Sequence, residues 1–242
     1  PVAVTNGKVN ADEGSACMSD TSGNLLFYTD GDNVWDSNHS IMPNGTGLYG
    51  GGGTSSQSAI ILPKPGSDSL YYIFTADGAS GGCANGCVFS YSVVDMSLNS
   101  GGGDITAKNT PLVKPVSEKV TAVKHCNGKD IWVITHTLNT DSFYAYLLTS
   151  AGVSAPVISK IGLVHSDERG YMKSSPDGKH IASTVYMYGS ELFDFDNVTG
   201  IVSNVITLPV VSFQYGLAFS PNSTKLYVAS LMDTSAGVLS GA

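Results

Sequence analysis

In residues 215–230, YGLAFSPNSTKLYVAS, an apolar run leads into a Ser-Pro-Asn-Ser turn and a second apolar run returns. That pattern predicts two antiparallel strands joined by a tight reversal, with Pro221 and Asn222 as the turn residues. The same arrangement recurs as YMKSSPDGKHIASTV from Tyr171, TAVKHCNGKDIWVITH from Thr121, SAIILPKPGSDSLYYIF from Ser58 and SACMSDTSGNLLFYTD from Ser15. The returning strands open at Leu25, Leu70, Ile131, Ile181 and Leu226, with intervals of 45, 61, 50 and 45 residues. Repeats of roughly 40–50 residues holding several short strands are the mark of propeller blades. A β-sandwich also spaces its strands closely, but gives no reason for one hairpin to return five times.

The pattern therefore predicts an all-β chain, a β-propeller of about five blades of four-stranded antiparallel sheet in one domain, 1–242. The blades fall near 15–50, 57–112, 118–162, 170–209 and 215–242, and the last is incomplete, with room for about one short strand after its first hairpin. Residues 1–14, strand-like at Val2–Thr5, are placed to supply a closing strand. The alternative is a strand donated by a neighbouring copy, which makes a homo-oligomer or a filament. SAIILP is apolar almost throughout and is expected to be buried on both faces. LFDFD alternates, so one of its faces packs between blades while the other meets water. GTGLYGGGGTSS is expected to be a flexible connection, and DGASGGCANG and NSGGGD account for the longer interval.

Composition narrows the partners. Twelve basic against 20 acidic residues give a net charge of -8, without a basic patch for nucleic acid. No apolar run approaches the ~20 residues of a transmembrane helix. Cys83 and Cys87 enclose only Ala-Asn-Gly. They fit a small disulfide loop in an oxidising compartment, a pair of free thiols, or half of a metal site.

Candidate chemistry is sparse. Asp30, Asp32 and Asp36 in TDGDNVWD offer oxygens in the manner calcium takes, or cap the amides of a hairpin turn. His125 and His136 flank one hairpin and are expected near each other across two strands. Glu13, Gln57, Lys119, Tyr171 and Tyr215 each stand at or near the start of an inner strand, and are expected to ring one mouth of the channel as a ligand site. Glu13, Glu118, Asp167 and Glu168 fall on the same rim, where a carboxylate pair would serve a hydrolase and isolated carboxylates would simply be solvated. Tyr49, Trp35 and Trp132 are candidates for a sugar platform.

The segments SDTSGNLLFYTDGDNVWDSNHSIMPNGTG, EKVTAVKHCNGKDIWVITH, FYAYLLTSAGV, YMKSSPDGKHIA, ELFDFDNVTG and YGLAFSPNSTKLYVAS resemble the repeats of WD40-like and YVTN-like secreted propeller proteins of gliding bacteria. The resemblance covers most of residues 13–230 and implies export to the cell surface or beyond, with a role in adhesion or surface assembly. Since no nucleophile or metal set emerges, the expectation is a non-catalytic extracellular binding or structural protein rather than an enzyme. Its expected partners are further copies of itself or a surface glycan, and calcium is the one cofactor it suggests. The alternatives are a hydrolase or lyase acting on glycans at the channel mouth, and a carbohydrate-binding module.

Overall fold

Each of the five hairpins forms. A computed structural model describes residues 5–51, 53–78, 83, 85–209 and 213–230. The first sheet contains β1 (Ala16–Ser19), β2 (Leu25–Thr29), β3 (Asn33–Asp36) and β4 (Ile41–Thr46). The second contains β5 (Ala59–Pro63), β6 (Leu70–Ala76), β7 (Phe89–Asp95) and β8 (Asp104–Val113). The third contains β9 (Val116–Lys124), β10 (Ile131–Thr137) and β11 (Ser142–Thr149), with β12 (Gly152–Val153) and β13 (Val157–Lys160) both paired to β11. The fourth contains β14 (Met172–Ser174), β15 (His180–Val185), β16 (Gly189–Phe195) and β17 (Val202–Thr207), and the fifth only β18 (Gln214–Phe219) and β19 (Leu226–Ser230).

The sheets are antiparallel meanders in sequence order, so the fold is a β-propeller whose last sheet has two strands among the described residues. Val2–Val4, on which the closing strand rests, and everything after Ser230 lie outside the described residues. No helix among the described residues is long and apolar enough to cross a membrane.

Successive side chains along each strand point to opposite faces, and apolar residues on both give the sheets between two neighbours two packing faces. Phe27, Val34 and Met42 of the first sheet meet Ile61, Ile73 and Val94 of the second. Phe74 and Phe89 then meet Val120, Val133 and Tyr146, and Trp132, Ile134 and Phe143 meet Met172, Ile181 and Phe193. Burying each such side chain contributes roughly 1.5–3 kcal/mol, so the layers between blades form the core.

Two expectations change here. Of the apolar residues in SAIILP only Ile61 is fully buried, because an innermost strand borders the channel and leaves Ile60 and Leu62 half-covered. The glycine-rich connection is not slack: Leu48 is in the core, and Gly50 packs so closely on Gly31 that a Cβ would lie 2.3 Å from its carbonyl oxygen.

The meander also fixes which loops share an end. Ala16 pairs with Thr29, Ala59 with Thr75 and Met172 with Ser183, so the start of each innermost strand lies beside the end of the second. The segments before β1, β5, β9, β14 and β18 thus gather with the β2–β3, β6–β7, β10–β11 and β15–β16 turns on one rim, here the upper. The remaining hairpin turns form the lower rim.

Candidate functional site at the upper mouth of the channel

Five residues were expected to ring this mouth, and the structure divides them. Gln57 is nearly buried and ties three sheets together at the axis: its Nε2 donates to Val120 O (3.0 Å) and Met172 O (3.2 Å), and its Oε1 accepts from Met172 N (2.7 Å). Lys119 is wholly buried within β9, which begins three residues earlier than Lys119, and its Nζ donates to the carbonyls of Glu168 (2.7 Å) and Arg169 (2.9 Å). Burial lowers its pKa to about 7. Both side chains therefore serve as struts between blades. Glu13 is exposed, Tyr171 and Tyr215 are half-buried, and the two tyrosine rings lie 5.8 Å apart.

Glu13 and Tyr215 begin a chain of oxygens leading inward. The Tyr215 hydroxyl donates to Glu13 Oε1 at 2.6 Å and lies 2.8 Å from Ser56 Oγ. Ser56 Oγ is in turn 2.8 Å from Glu118 Oε2, which also accepts from Ser56 N at 2.8 Å. Glu118 is fully buried and its Oε1 has no partner among the described residues. That oxygen faces Gly78, where an added Cβ would come within 3.0 Å. Burial raises the Glu118 pKa, the two hydrogen bonds from Ser56 oppose the rise, and the charges of Glu13 and Glu168 add to it. Burial likewise raises Tyr215, assisted by the hydrogen bond to Glu13.

The chain of oxygens thus joins two carboxyl groups through two hydroxyls: buried Glu118 accepts from Ser56, Ser56 Oγ meets the Tyr215 hydroxyl, and Tyr215 donates to exposed Glu13. The sequence placed Glu13 and Glu118 on the rim but gave no signal for Ser56, whose role depends on partners 62 and 159 positions away.

Other sequence candidates separate. Asp30 and Asp32 lie in the upper β2–β3 turn, but Asp36 ends β3 at the opposite rim, about 10 Å along the strand at ~3.3 Å per residue. Asp30 Oδ1 accepts from the amides of Asp32 (3.0 Å) and Asn33 (2.7 Å), and Asp36 Oδ1 from those of Asn38 and Ser40 (both 2.9 Å), the turn-capping alternative. Among the described residues no group of three metal-ligating side chains gathers. Cys83 and Cys87 form a disulfide.

His125 and His136 do not meet, because they stand at opposite ends of the β9–β10 hairpin. His136 instead stacks on His165 at 3.4 Å between ring centroids, and both are buried. Burial lowers the His136 pKa to about 3 and that of His165 well below its usual value, so both are neutral. Trp35 and Trp132 are buried, the latter donating Nε1–H to Asn197 O at 3.0 Å, and neither offers a face to a sugar. Gly200 permits that packing, since a Cβ there would lie 2.7 Å from the Trp132 ring.

No protein-family model matches the chain, and no curated protein matches it in sequence. Among solved structures it is similar to a luciferin-regenerating enzyme, at 14% identity over 93% of this chain and 70% of that one, with a TM-score of 0.50. It is similar to hydrazine synthase of Kuenenia stuttgartiensis at 16% identity, over 88% of this chain and 60% of that one, with a TM-score of 0.51. A third likeness is to an exo-β-1,3-galactanase of Phanerochaete chrysosporium, at 13% identity over 96% of this chain and 63% of that one, with a TM-score of 0.47. These likenesses show the propeller fold. The expectation of a non-catalytic structural or adhesive component is corrected: the solved structures that share the fold include a luciferin-regenerating enzyme and hydrazine synthase, and the rim charge is not simply solvated, since buried Glu118 is joined to Glu13 through Ser56 and Tyr215.

Proposed function

We propose that the chain is an enzyme of acid–base bond cleavage, a hydrolase or lyase working at the upper mouth of the propeller. The observation carrying this reading is the chain of oxygens that connects the buried Glu118 carboxyl through Ser56 and Tyr215 to the exposed Glu13 carboxyl. Two carboxyl groups of opposite protonation are what acid–base cleavage requires. Glu13 and Tyr215 would touch the substrate. The Glu13 carboxylate takes a proton from the attacking water, or from substrate carbon in an elimination. As the bond to the leaving oxygen breaks, Tyr215 gives its proton to that oxygen and is replenished from Ser56, which takes the proton of Glu118. Ser56 and Glu118 are positioning residues behind the reacting pair. Export to the cell surface or beyond fits the Cys83–Cys87 disulfide and the resemblance to secreted propellers of gliding bacteria.

The test is a panel of chromogenic glycosides, esters and lactones, with eliminations followed by ultraviolet absorbance. Tyr215→Phe and Glu118→Gln should each lower turnover by about 10²–10⁴-fold, the range for loss of general acid–base catalysis. Wild-type inactivity across the panel, or unchanged turnover in both variants, would refute the reading.

A further inference from the structure

From Tyr215 the upper rim carries a continuous set of aromatic rings, three of which the catalytic reading does not use. Phe213 lies 5.6 Å from Tyr186, Tyr186 lies 6.2 Å from Tyr215, and Tyr215 lies 5.8 Å from Tyr171, each between ring centroids. All four side chains are half-buried. They come from the β15–β16 turn and from the segments entering β14 and β18, so only the tertiary fold assembles them. Two bulky residues in this patch, Met187 (φ 68°) and Phe213 (φ 60°), hold left-handed backbone, a conformation that disfavours such side chains and persists where the surroundings impose it.

The charges around the patch select its ligand. Glu13, Asp167 and Glu168 stand on this rim, while the cations nearby are engaged. Lys119 gives its protons to two carbonyls. Arg169 grips Asp167 through Nε (2.9 Å) and Nη2 (2.6 Å), with its guanidinium 4.1 Å over the Tyr186 ring. Lys173 lies 5.4 Å from the Tyr171 ring centroid, and burial lowers its pKa. A phosphate, sulfate or uronate would meet carboxylates without a free cation among the described residues. A purely apolar ligand would desolvate those carboxylates without pairing them. A neutral sugar meets both requirements, because its C–H face covers a ring while its hydroxyls donate to carboxylates.

We infer that the Phe213–Tyr186–Tyr215–Tyr171 patch is a binding platform for uncharged glycans, lying beside the reacting pair. The inference rests on the proposed catalytic site for its role in turnover, but binding is measured independently of turnover.

The experiment uses the full chain carrying Glu118→Gln, in which cleavage is suppressed, on an array of neutral, uronic and sulfated oligosaccharides, followed by calorimetric titration of the best neutral one. Neutral glycans should bind, and acidic glycans of equal length should bind more weakly. Tyr186→Ala and Phe213→Ala should each weaken binding about tenfold, the scale for loss of a packed aromatic contact. Tyr227→Ala, an exposed tyrosine on β19, serves as the control and should leave binding unchanged. Absence of neutral-glycan binding, preference for acidic glycans or for an apolar dye, or full affinity in both platform variants with native circular dichroism would overturn the inference. Full affinity in both platform variants, with turnover lost in Glu118→Gln, refutes the platform and leaves the catalytic reading standing. Platform-dependent binding with wild-type inactivity does the reverse.

Discussion

At the lower ends of the blades, Asp20 Oδ1 accepts the amides of Ser22 and Asn24 (both 2.8 Å), Asp177 accepts Ser175 Oγ (2.6 Å), and Asp196 accepts Thr199 Oγ1 (2.7 Å) and Val198 N (2.9 Å). Hydrogen bonds from side chains, and then from backbone amides, hold all three pKa values below the ordinary carboxylate value. At the upper ends Asp77, Glu118 and Glu191 are buried, and desolvation raises all three. Among the described residues Asp77 Oδ1 and Glu118 Oε1 have no hydrogen-bond partner. The lower turns use carboxylates to satisfy backbone donors in water, which stabilises the fold locally. The upper rim also has a cap at Asp30, but it keeps these three buried acids where they oppose stability, and such groups concentrate where chemistry is done.

The contrast is sharpest in turnover. Asp196→Asn at the lower rim should leave activity within about twofold, whereas Glu118→Gln should remove about 10²–10⁴-fold. Equal effects from both, measured on the substrate found by screening, would dissolve the distinction between the ends.

Acid stability is the next largest effect. His136 is neutral in the fold down to about pH 3, whereas in the unfolded chain it protonates near 6.5. Between those values the unfolded state binds the extra proton, so stability falls on acidification by about 1.4 kcal/mol per pH unit for each such histidine. His165→Phe, which retains a ring against His136, should flatten the acid limb of urea-midpoint measurements at pH 4–6. An unchanged limb would show that other groups set it.

Lys119 acts at the other end of the scale. Its folded pKa of about 7, below the 10.5 of the free side chain, means that the unfolded state binds more protons between those values. Stability should therefore rise from about pH 7 towards 10.5, and Lys119→Met should abolish that rise. The smallest effect belongs to a lower turn: Asn127 Oδ1 accepts the amides of Lys129 (2.9 Å) and Asp130 (3.0 Å). Asn127→Ala should cost about 1 kcal/mol in denaturant unfolding at every pH, with activity untouched.

How much of this was legible beforehand differs with the range of the interaction. Hairpins such as Ile131–Leu148 across β10 and β11 form between neighbours in the chain, and their alternating apolar residues announce them. The lower turns are local as well, with Asp-Gly, Asn-Gly and Pro-Asn sequences naming their own reversals. Trp35 and Trp132 looked available as sugar platforms because alternation tells that a residue faces a side of a sheet, and not whether another blade covers that side.

The amino-acid sequence by itself determined the blades, their order, the strand boundaries to within a few residues and the rim on which Glu13 and Glu118 stand, because each depends on contacts a few residues apart. Only the tertiary structure decided which of those acids is buried, that Ser56 and Tyr215 join them, and that Phe213, Tyr186, Tyr215 and Tyr171 form one surface. The Tyr215–Glu13 contact spans 202 positions and the Ser56–Tyr215 contact 159. At such separations no local pattern encodes the partner: the closing of the blades around one axis brings the groups together and removes the water around Glu118, which raises its pKa.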